Sequence, residues 1–135
     1  RKLVALSDCW SAPLTKVKSP NDLVIPAFRL LEPPAKEKRV VAPLRLLGQL
    51  PFFAPSPAGW PDIAESWIGP ESLLRRIEML EVLAKRQASH VDPQHLAAEA
   101  FGPIAGAETV TAIRRAASRR EALALLLTSP EFQRR

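Results

Sequence analysis

Gly69-Pro70-Glu-Ser-Leu-Leu-Arg-Arg-Ile-Glu-Met-Leu-Glu-Val-Leu-Ala-Lys-Arg-Gln-Ala88 is the longest stretch of this chain to keep one period. Leu73, Leu74, Ile77, Leu80, Val82, Leu83 and Ala84 recur at three- and four-residue steps, which gives a helix one broad apolar face. Arg75, Arg76, Glu78, Glu81, Lys85 and Arg86 fall on the remaining arc and are expected in solvent. Proline fits the first turn, so Gly69-Pro70 reads as the start of a helix over 70–88. Such a helix needs neighbours to cover its face, and it is expected at the centre of the fold.

Working outward, every flanking segment also reads as helix. Asp92-Pro93 opens one over 93–101, stopped by Gly102-Pro103. Val110, Ile113 and Ala117 are in phase over 107–117. Ser118-Arg-Arg-Glu121 is a capping box for a helix from Arg119 to Leu127, and Ser129-Pro130-Glu131-Phe132 starts a last turn. Towards the N-terminus, Val40, Leu44 and Leu47 mark a helix over 36–48, with Gly48 suited to a left-handed C-cap. Ser19-Pro20-Asn21-Asp22 starts another that runs to about Leu31, ahead of Pro33-Pro34. Pro26 and Pro43 lie inside these two and should kink or break them. Residues 1–18 read as a short helix or extended lead-in. No alternating run is long enough for a strand. The expectation is an all-α, irregular bundle of five to seven short, partly proline-kinked helices.

Residues 51–69 are the exception. Pro51-Phe-Phe-Ala-Pro-Ser-Pro-Ala-Gly-Trp60-Pro-Asp-Ile-Ala-Glu-Ser-Trp67-Ile-Gly69 holds two of the three tryptophans and two of the five phenylalanines. This long Pro/aromatic loop is expected to pack across the bundle, because large rings bury much area and the core otherwise lacks aromatics.

A length of 135 residues suits one helical domain, 1–135, and 47% apolar residues exclude disorder as the default. The net charge of +5 permits an anionic partner without requiring one. Cys9 is the lone cysteine, which excludes an internal disulfide framework and a Cys-rich zinc site. No apolar run reaches the length of a membrane span. The chain opens on Arg1 and Met79 is its sole methionine, so it is expected to be a fragment of a longer protein.

Several segments together resemble the C-terminal part of the bacterial domain of unknown function 1800 family. They are Gly48-Gln49-Leu-Pro51-Phe52, Pro55-Ser-Pro-Ala-Gly59-Trp60-Pro61, and Trp67-Ile-Gly-Pro70 followed by Leu74 and Arg76. Ala124-Leu-Leu-Leu-Thr-Ser129-Pro130-Glu131-Phe132-Gln133-Arg134 is similar to the family's ending, and Lys18-Ser-Pro20 with Arg29-Leu to the segment before the Gly-Trp motif. The resemblance implies a C-terminal fragment of a protein several hundred residues long, exported from the cytoplasm in many members. It implies no activity, cofactor or catalytic residue.

Three clusters carry possible chemistry. Phe53, Trp60 and Trp67 on a stiff loop, with Asp62 beside them, suit stacking on a sugar or an extended peptide. His90, Asp92, His95 and Glu99 are the only ligand-like group, His95 and Glu99 sharing a helix face. Asp92 is already accounted for as a helix cap, so no metal site is expected. Arg75, Arg114, Arg119 and Arg120 would suit an anion only by converging on one surface. Adjacent arginines point about 100° apart on a helix, and no helix has the pattern of a recognition helix, so nucleic acid is disfavoured as a partner. No Gly-x-Ser-x-Gly elbow, phosphate loop or dinucleotide fingerprint is present, and no cofactor is expected.

The favoured expectation is a non-catalytic structural or interaction module, bound to the N-terminal part of its own full-length chain or to another protein. One alternative is a wall of a ligand-binding or hydrolase-type site at the aromatic loop. A second is a basic anion or nucleic-acid binder.

Overall fold

The computed structural model describes residues 16–31 and 37–135. Most of the lead-in, with Cys9 and Trp10, and the Pro33-Pro34 stop lie outside the described residues. Seven α-helices, and no strands, occur among those described: α1 (Pro20–Leu31), α2 (Glu37–Leu46), α3 (Pro70–Gln87), α4 (Pro93–Phe101), α5 (Ala107–Arg115), α6 (Arg119–Thr128) and α7 (Pro130–Gln133). The fold is all-α, an irregular helical bundle. α1 and α2 each run through an internal proline, Pro26 and Pro43, without being broken.

Local signals set the helix starts. Asp22 accepts from both the backbone N–H and the hydroxyl of Ser19, and Ser19 accepts from Asp22 N–H, closing the capping box of α1. Asp92 caps α4 through Gln94 N–H, Ser118 caps α6 through Glu121 N–H, and Ser129 caps α7 through Phe132 N–H. Beyond α2, Gly48 takes φ +78° while Gln49 N–H returns to Leu44 O at 2.9 Å, the left-handed C-cap that glycine permits.

The hub is α6 rather than the longest helix. This ten-residue helix packs against α3, α4, α5 and α7, and Leu123, Leu126 and Leu127 are fully buried. α1 packs on α2, and Leu23, Val24, Ala27, Phe28, Leu31 and Leu44 join the same core. A leucine-rich helix with neighbours on all sides buries more per residue than a longer helix at the rim.

Two long-range ties close the molecule. Val17 and Arg134 form an antiparallel bridge, flanked by Arg135 N–H to Lys16 O at 2.8 Å and Lys18 N–H to Gln133 O at 2.9 Å. The carboxylate of Glu131 accepts from Gly106 N–H at 2.8 Å and from the Thr109 hydroxyl at 3.0 Å, so α7 caps the start of α5. Any Cβ at position 106 would run into that carboxylate.

Candidate functional site

α3 carries two different faces. Met79, Leu80, Leu83 and Ala84 are buried, and so is Arg76, at 1% exposure. The placement of Arg76 corrects the sequence expectation of a solvent-facing residue. Its guanidinium donates to Lys18 O at 2.7 Å and to Gln133 Oε1 at 3.4 Å, and no described carboxylate touches it. Burial lowers its pKa, but a guanidinium starting this high stays charged. It therefore ties α3 to both ends of the described chain. Lys18 sits beside it, donating to Phe132 O at 2.7 Å with its ammonium 4.7 Å from the centre of the Phe132 ring. Burial lowers the Lys18 pKa, against an opposing pull from Asp22.

The other face is open at Leu74 and Val82, expected in the core but 56% and 51% exposed. Leu73 shares the stripe of Leu80 and Ala84 but sits in the first turn and is 43% exposed, and Ile77 is half-buried. Ile63 and Ile68, in the segment leading into α3, are exposed as well. The apolar positions read from the sequence span more than half the helix circumference at about 100° per residue. α6 covers only one sector, which leaves Leu74 and Val82 outside it, and the first turn at Leu73 is uncovered as well.

The Pro/aromatic loop divides into an anchored half and a free half. Trp67 is buried and donates its indole N–H to Pro61 O at 3.0 Å; Trp60 is half-buried, its ring 6.3 Å from that of Trp67. Asp62 pairs with Lys16 and lies 3.9 Å from Arg135, which also reaches Asp22 at 3.4 Å. The hydrogen bond from Lys16 and its charge hold the Asp62 carboxyl below its usual pKa. Phe53, by contrast, is 69% exposed and Phe52 stands clear of every neighbour at 103%. Phe53 thus lies apart from the Trp60–Trp67 pair. None of Phe53, Trp60, Asp62 and Trp67 lines the three cavities described below.

The remaining candidates disperse. His95 Nδ1 is 3.9 Å from Glu99, while Asp92 is occupied as the α4 cap; no group of three metal-ligating side chains forms among the described residues. Arg75 bonds to Glu71 within α3. Arg114 and Arg119 line a 320 Å³ cleft with Asp92, Gln94 and Ser118, and Arg120 lies outside it. A larger groove of 840 Å³ runs between α1, α2 and α3 over Phe28, Met79 and Leu83, with Arg39, Glu78 and Arg86 also lining it. A third cavity, of 440 Å³, lies along α5. No helix among the described residues is long and apolar enough to cross a membrane.

Three residues that hold the structure together were not singled out for these roles from the sequence: Arg76, Gln49 and Glu131. Gln49 is buried and accepts from Asn21 N–H at 2.7 Å, satisfying the start of α1 from 28 positions away. All three fall in the segments that carry the family resemblance, the one signal that marked them. The family model described as "Protein of unknown function (DUF1800)" matches residues 1–134, and the chain belongs to that family. No curated protein and no solved structure matches it.

Proposed function

We propose that this chain is a non-catalytic structural or interaction module whose contact surface is the open face of α3. The observation that carries the reading is the exposure of Leu74 on a helix whose opposite face is buried, with Leu73 exposed beside it in the first turn. Scattered exposed apolar residues are ordinary, but Ile63, Ile68, Leu73 and Leu74 lie within twelve positions on one helix and its lead-in. Leu73 and Leu74, four and three residues before Ile77, suit a second apolar helix or strand laid against them. The partner is another part of the same full-length polypeptide or a separate protein.

The test is photo-crosslinking from benzoylphenylalanine at Leu74 in the full-length protein in its native cell, with exposed Glu99 on α4 as a surface control. Adducts mapping to one defined segment support the reading. Adducts no more frequent at position 74 than at position 99 overturn it. Convergence of Trp60 and Asp62 with a bound sugar would instead favour the ligand-site alternative.

A further inference from the structure

The structure also points to the Phe52–Phe53 tip, and we propose that it inserts into the interface of an anionic lipid surface. The inference is independent of the α3 face. Leu50, Pro51, Phe52 and Phe53 form a turn closed by Phe53 N–H to Leu50 O at 3.2 Å, with proline at its second position. Its third residue, Phe52, has φ +67° and is the sole non-glycine residue with positive φ among those described. Glycine or asparagine is the stable choice there, because a Cβ crowds the backbone in this region. The ring of Phe52 recovers nothing inside the fold, being fully exposed. A strained residue with no internal contact to offset the strain points to use outside the molecule.

The chemistry of the tip favours lipid over a protein groove. From Leu50 to Pro61 there is no charged side chain, and Ser56 is the one hydroxyl. Protein interfaces ring their aromatic anchors with polar groups, which this tip lacks. Four of these twelve residues are prolines without an N–H, and the N–H groups of Phe53 and Gly59 are spent in turns. Each missing or satisfied donor lowers the cost of leaving water for the acyl boundary. Full exposure means that the rings project from the surface, a shape that a soft bilayer accepts without a matching pocket.

Cations flank the base of the loop. Arg45 precedes it at the end of α2, and Lys16 and Arg135 sit beside Asp62 where it returns. Asp62, Asp22 and Glu65 are the acidic groups there, and the pairs Lys16–Asp62 and Arg135–Asp22 leave Arg45 as the cation outside those pairs. The net charge of +5 adds attraction to an anionic surface.

The test is co-sedimentation of the protein with phosphatidylcholine vesicles, with and without phosphatidylserine. Binding is expected to the phosphatidylserine vesicles and to weaken with salt. The double variant Phe52→Ser/Phe53→Ser should keep its Tm and lose about tenfold or more in partitioning, whereas Leu74→Glu should bind like the parent. A Phe53→Trp variant should be quenched by lipids brominated on the acyl chain. The proposal is overturned by wild-type protein that stays in the supernatant, by binding that the double variant retains, or by indole emission from the Phe53→Trp variant that brominated chains leave unchanged. A dimer seen in sedimentation velocity and dissolved by the double variant, without vesicle binding, assigns the tip to a second copy instead.

Discussion

The two sides of α3 invert the usual association of residue type with environment. On one side an arginine is sealed in the core; on the other, Leu74, within a single turn of it, faces water. Arg76 is buried because its donors meet fixed acceptors, the Lys18 carbonyl and the Gln133 side chain, so the polar group has partners inside. Leu74 is exposed because no described element reaches it. Burial along a helix is thus decided by what lies opposite, and hydrophobicity only nominates candidates.

The largest expected effects lie on the packed side. Leu126→Ala, at the hub, should cost about 2–5 kcal/mol in denaturant melts, the range for a fully buried leucine. A loss below about 1 kcal/mol would show that α6 is not the centre of packing. Arg76→Ala should follow at about 2–4 kcal/mol, since it opens a cavity and strands the Lys18 carbonyl. Arg76→Met fills most of that space, so the gap between the two variants separates packing from hydrogen bonding. Equal losses would mean that the bonds carry the effect.

Glu131 sharpens the comparison, because it is a polar group working at the edge of the core. Burial opposes its ionisation, yet hydrogen bonds from its own backbone, Gly106, Thr109 and Ser129 together outweigh that and lower its pKa. A carboxylate with a depressed folded pKa stabilises above its unfolded value, 4.5, and that contribution fades as pH falls through the folded pKa. Glu131→Gln should therefore cost about 1 kcal/mol at neutral pH, as a lost helix cap does. The difference from wild type should shrink below about pH 4.5; a pH-independent difference would point to packing alone.

The smallest effects belong to the open side. Leu74→Ser should change stability by less than about 0.5 kcal/mol. Phe52→Gly should not destabilise the fold, because glycine relieves the positive φ. A clear drop in Tm for either would show that the surface is covered within the chain, and would remove the basis for a contact face there.

Helix identity was legible in the residues themselves because its determinants are local. Ser19 with Asp22, Asp92 before Pro93, Ser118 with Glu121 and Gly48 after α2 each set a boundary through hydrogen bonds spanning at most five residues. α4 begins and ends where its cap and its Gly-Pro stop require, and the all-α class follows from the same signals. The buried arginine, the tie from Gln49 to Asn21, the hub role of α6 and the free half of the aromatic loop were not legible. The two side-chain ties depend on partners 28 and 58 positions away, the hub role on four helices gathering around α6, and the free half of the loop on the absence of a partner. Periodicity states which side chains share a face, whereas contact between distant segments selects the face that leaves water. In this chain the candidate surfaces, the open strip of α3 and the Phe52–Phe53 tip, are what remained once packing had made that selection.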